Sequence, residues 1–95
     1  MFGDMSVLNE KQKQIDNKLA AMELSVIVAQ GKVQVKANGK GETLDLTIDP
    51  DLVKEGDTEA IEDFVVLAMN EIRKKVDETQ MKESKDLLSG LLPGM

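Results

Sequence analysis

The chain has no cysteine, histidine, tryptophan or tyrosine, and only two phenylalanines and two prolines in 95 residues. Without cysteine there is neither a disulfide frame nor a thiolate metal site, and an intracellular protein is expected. The lack of histidine and cysteine also removes the commonest general base and the thiol nucleophile. Only a lysine could activate any of the four serines, so no enzyme activity is expected. Phe2 and Phe64 are too few to stack on successive bases of a single strand, and Phe64 reads as core. No stretch approaches the roughly 18 consecutive apolar residues of a membrane span, and no membrane partner is expected. Met1–Ser6 shows no basic segment followed by an apolar run, so no secretory signal is expected either. Asp49, Asp51, Glu55 and Asp57 have some of the spacing of a calcium loop, but Val53 stands where the third oxygen ligand belongs. Neither a metal nor a cofactor is expected.

What is present is organised around residues 24–50. Three runs rich in β-branched residues are separated by Gln30-Gly31 and by Asn38-Gly39-Lys40-Gly41, residue types that tolerate the positive φ of tight hairpins. Leu24, Val26 and Val28, then Val33, Val35 and Ala37, then Leu44, Leu46 and Ile48 alternate with polar residues. A two-residue loop at Gln30-Gly31 pairs Val28 with Val33, Val26 with Val35 and Leu24 with Ala37. A second at Gly39-Lys40 pairs Val35 with Leu44 and Val33 with Leu46. Moving that turn to Asn38-Gly39 shifts the pairs by two residues and keeps the faces, so face is better determined than pairing. The glycines read as turn residues, because the strand–loop–helix order of a phosphate-binding fingerprint is absent.

Helices are expected on either side. Residues 4–23 carry Met5, Leu8, Ile15, Leu19 and Met22 at 3,4 spacing, with Gln12 in the remaining slot. This narrow stripe suits a helix that packs on one neighbour and projects, or one that lies over the sheet. Asp49-Pro50 ends the third strand, Asp51–Glu55 can make one helical turn, and Asp57 or Thr58 caps a long helix over residues 58–86. On that helix Ile61, Val65, Ala68, Ile72 and Val76 form a stripe for the sheet. Phe64–Met69 is apolar around the whole circumference, which one small sheet cannot cover. A second copy is the favoured cover, with Phe64, Val66, Leu67 and Met69 at the interface, and the alternative is a monomer in which the first helix covers the remainder. Residues 77–86 read as a solvated helix and residues 87–95 as a flexible apolar tail. The fold expected is α+β, a single α-β-β-β-α domain over residues 1–95. Its three-stranded antiparallel meander packs on the long helix.

The formal net charge is −6, yet residues 49–63 alone hold seven acids against Lys54. That argues against a generic polyanion binder and leaves room for local basic surfaces. Three sets stand out. Lys11 and Lys18, seven residues apart, share one side of the first helix. Arg73, Lys74 and Lys75 adjoin on the last helix, with Lys82 two turns beyond. Lys32, Lys36 and Lys40 share the polar face of the sheet. Dimerisation would double each set and could align them across a cleft, where phosphates rather than base edges would be the targets.

The run Val33-Gln-Val-Lys-Ala-Asn-Gly-Lys-Gly-Glu42, then Leu46-Thr-Ile-Asp-Pro-Asp-Leu52, then Ile61-Glu-Asp-Phe-Val-Val-Leu-Ala-Met-Asn-Glu71, resembles the bacterial YbaB/EbfC family of nucleoid-associated proteins. Ala68, Asn70 and Lys74 fit its helix pattern, and Leu88-Ser-Gly with Leu92-Pro-Gly94 resembles its ending. The first helix is shorter and less rich in Met and Gln than that pattern. The resemblance implies a homodimer with projecting helices likened to tweezers. It also implies duplex-DNA binding of low or variable sequence preference, and a cytoplasmic, nucleoid location. A rival expectation is a module that assists DNA-metabolism proteins through its apolar tail without gripping DNA.

Overall fold

Alternating aliphatic residues between Leu24 and Ile48 give three antiparallel strands, β1 (Leu24–Val28), β2 (Val33–Ala37) and β3 (Thr43–Ile48), in the order β1-β2-β3. They are preceded by α1 (Phe2–Ala21) and followed by the short α2 (Pro50–Lys54) and by α3 (Thr58–Leu91). This computed structural model describes residues 2–91, with side chains over residues 7–90. The order is the α-β-β-β-α arrangement expected, with the extra helical turn anticipated after Asp49-Pro50. Asp49 caps that turn by accepting from the Asp51 amide at 2.8 Å, and Gly56, at φ +75°, closes it. Asp57 caps α3 through the Ala60 amide, at 3.0 Å.

The first hairpin has the expected register, Leu24↔Ala37, Val26↔Val35 and Val28↔Val33. Its loop places Ala29 at φ 57°, Gln30 at φ 58° and Gly31 at φ 88°, one positive value more than the two that a two-residue turn matching strand twist requires. The second hairpin departs from expectation. Val35 pairs with Leu46 and Val33 with Ile48, two residues beyond the expected partners. Two one-residue offsets add up. Asn38 bonds backbone to backbone with Glu42, closing a three-residue loop whose last residue, Gly41, sits at φ +94°. A bulge then leaves Leu44 without a partner between Lys36↔Asp45 and Ala37↔Thr43. The loop alone would turn every β3 side chain to the wrong face, and the bulge turns them back. The buried Asn38 amide holds the loop, with its oxygen accepting from the Lys40 and Glu42 amides at 3.0 Å each.

Val33, Val35, Ala37, Leu52, Ala68, Ile72 and Val76 form the buried core. Each larger member contributes about 1.5–3 kcal/mol by leaving water. Ile61, Ala68, Ile72 and Val76 of the expected α3 stripe face the sheet, with Phe64 packed on the core beside them, but α3 lies across β1 and β2 and not across β3. Leu44 and Leu46 are therefore 55% and 42% exposed, although Leu46, opposite Val35, points to the core side.

Beyond Val76, α3 continues to Leu91 instead of ending near residue 86, so residues 87–91 of the expected tail are helical. Residues 92–95 lie outside the described residues. The stretch after Val76 is not fully solvated either. Gln80, Glu83 and Leu87 continue the buried stripe at helical spacing and face α1, while the lone apolar Met81 is 64% exposed. Helical phase, not polarity, decides which side chain faces inward. On the other side of this contact Leu19 is buried and Ile15 half-buried, whereas Leu8 is exposed. Thus α1 packs on α3 rather than across the sheet, and the two helices form an arm on a molecule 62 Å long.

Candidate nucleic-acid interface

Consecutive helical residues are about 100° apart, so adjoining bases need not share a surface. Arg73 lies on the β3 flank of α3, in an open groove of about 470 Å³ with a floor of Ala37, Ile72 and Val76. Lys40, Thr43, Asn70 and Gln80 also line it, as does one acid, Asp77. Lys74 and Lys75 turn to the β1 flank. There Lys74 approaches Glu71 at 3.5 Å, and the Lys75 ammonium donates to the Ser25 carbonyl at 2.7 Å. The basic triplet thus divides between two flanks.

On the arm, Lys11 and Lys18 share a face, as their spacing requires. That face borders Glu83, Asp86 and Leu87 of α3. Lys18 pairs with Glu83 at 3.1 Å. Lys82 is exposed on the same half of α3, roughly 30 Å along the helix from its acidic start. On the sheet, Lys32 stands 4.0 Å from Glu55 and Lys36 3.3 Å from Glu23. These acids are mostly exposed, with 57% and 61% of their side chains accessible.

The residues assigned to an interface between copies also separate. Phe64 packs against the core as a partly buried side chain. Met69 lines the β3-side groove, and Leu67, about 200° back around the helix, lies on the far flank. Val66 and Leu67 are exposed. Glu83 is the group the sequence did not single out, and Lys40, expected on the polar face of the sheet, lines the groove beside Arg73 instead. Lys40 sits in a loop remote in sequence from Arg73, and Glu83 lies in a polar stretch where only the phase carried on from Ile72 and Val76 marks it as inward.

Relatives of this chain carry the name nucleoid-associated protein. The chain is 33% identical to a nucleoid-associated protein of Rhizobium meliloti over its whole length and 91% of that protein. It is 36% identical to another from Clostridium novyi over 93% of this chain and 78% of the relative. The crystal structure of an uncharacterized protein from Helicobacter pylori superposes with a TM-score of 0.85 at 28% identity, covering 92% of this chain and 91% of that one. The profile of the YbaB/EbfC DNA-binding family matches residues 1–91. The chain belongs to the YbaB/EbfC DNA-binding family.

Proposed function

We propose that the chain acts as a homodimeric nucleoid-associated protein that holds duplex DNA through its phosphates, with little sequence preference. The observation that carries this reading is the bare core side of β3. Leu46 on that side and Leu44 at the bulge are both exposed and need a cover, and a second copy supplies one. Two arms then project from a common body. Lys11 and Lys82 on the arms, with Arg73, Lys74 and Lys75 nearer the body, are the phosphate contacts.

Lys32, Lys36 and Lys74 can join them despite their ion pairs, because exposed pairs are worth only about 0–1 kcal/mol and exchange readily for phosphate. The relatives' names support a location at the bacterial nucleoid, in the cytoplasm, for this chain. No catalytic role is assigned.

Titration of a duplex across salt tests the reading. A dimer engaging about ten phosphates, five from each protomer, loses roughly 10^5-fold in affinity between about 50 and 200 mM salt. Reversing Arg73, Lys74 and Lys75 to Glu together should flatten that slope without splitting the dimer in sedimentation. A shallow slope in the unaltered protein would remove the phosphate contacts. The rival reading, a protein-binding module, draws on Leu88, 56% exposed on the arm. It predicts no duplex binding at low salt, and loss of protein partners when residues 87–95 are deleted.

A further inference from the structure

Four lysines of the described structure stand near a carboxylate, and one pair differs from the rest. The acids opposite Lys32, Lys36 and Lys74 keep 43–61% of their side-chain surface. Glu83 keeps 8%, while Lys18 keeps 59%. A lysine that leaves an exposed acid for a phosphate abandons a partner that water solvates at once. If Lys18 left Glu83, a buried carboxylate would lose its counter-charge, a far costlier exchange. Lys18 is therefore held in place by the acid it neutralises.

The same spot contains a second constraint. The Gly39 amide donates to the Leu19 carbonyl at 2.8 Å, and Gln80 Nε2 donates to the Gly39 carbonyl at 2.9 Å. One residue of the β2–β3 loop is thereby tied to the end of α1 and to α3. The approach is close. A Cβ on Gly39 would lie 2.8 Å from the Leu19 carbonyl oxygen and 2.9 Å from its Cδ2. Gly39 is thus required for contact, not for turn geometry, and the positive φ in this loop belongs to Gly41.

We propose that Gly39, Gln80 and the Lys18–Glu83 pair form an anchor that sets the angle at which α1 leaves the body. Lys18 is then a positioning residue of the clasp and not a phosphate contact. The proposal rests on the DNA reading only in what the arm is for; the anchor itself is read without DNA.

Two readouts test it. Hydrogen exchange of the DNA-free protein follows the amides of residues 7–21 against those of the sheet. Duplex titration across salt follows affinity and slope. Glu83→Gln and Gly39→Ala should each speed exchange in α1 about ten-fold while the sheet amides hold. Both should weaken duplex binding about ten-fold with the salt slope intact. Lys18→Glu should do the same, and combining it with Glu83→Lys should restore both protection and affinity, because the pair is remade with its charges exchanged.

If the double variant binds as poorly as Lys18→Glu alone, with the slope lower by about two, one for each protomer, Lys18 meets a phosphate and the proposal fails. Should Glu83→Gln, which keeps the side-chain shape, leave exchange and affinity unchanged, it fails as well, whatever Gly39→Ala does to folding. Unaltered protein that holds no duplex at low salt would instead overturn the DNA reading, with the exchange result still reporting on the anchor.

Discussion

At the β1 edge of the sheet, Lys75 reaches down from α3 to the Ser25 carbonyl, and Leu24, Val26 and Val28 pack half-buried against the core. At the β3 edge every residue from Thr43 to Thr47 is exposed, two leucines among them. Dimensions account for the difference. A helix about 10 Å across covers roughly two strands spaced about 4.8 Å apart, and α3 spends that width on β1 and β2. A three-stranded sheet under one helix therefore has an uncovered flank, and its side chains show which flank. The closed edge has a capping ammonium that also blocks edge-to-edge pairing. The open one carries apolar side chains suited to a second copy.

The contrast can be broken most forcefully at the open flank. Leu44→Asp with Leu46→Asp should weaken the proposed dimer by 3 kcal/mol or more, roughly the burial of two leucines, as read by sedimentation equilibrium. Ile27→Asp, an exposed residue on the other face of the closed flank, should leave the association constant within a factor of about three. A change beneath both flanks comes next. Val35→Ala, in the middle of the central strand and fully buried, should cost about 2 kcal/mol of unfolding free energy in urea.

Smaller effects sharpen the comparison. Lys75→Met removes the bond to Ser25 and should cost about 1 kcal/mol, with faster amide exchange along β1 and none of that change along β3. The smallest expected effect has the opposite sign. Gln30→Asn, at φ 58° in the first turn, should raise stability by about 0.5 kcal/mol, visible as a higher melting temperature, because Asn tolerates that backbone region better than Gln.

How far the sequence could be read follows from the range of the forces involved. Strand alternation, the Gln30-Gly31 turn, the Asp49 cap and the α3 stripe through Val76 depend on neighbours a few residues away, and each was legible. The β2–β3 pairing was not, because a longer loop and a bulge compensate each other. A pattern of faces records their sum and not its parts. In the candidate interface, the spacing of Lys11 and Lys18 correctly predicted a shared face. It could not show that this face borders buried Glu83, or that Arg73 and Lys74 part company around the helix.

The sequence by itself determined the element order, the inward face of β1, of β2 and of β3 beyond its bulge, and the segregation of acid into residues 49–63, since these depend on chemistry repeated along the chain. Only the tertiary structure decided which strand α3 leaves bare, which lysines have exposed partners, and that Gly39 lies against Leu19. Those depend on distances between groups far apart in the chain, and a period of two or 3.6 residues carries no measure of such distances.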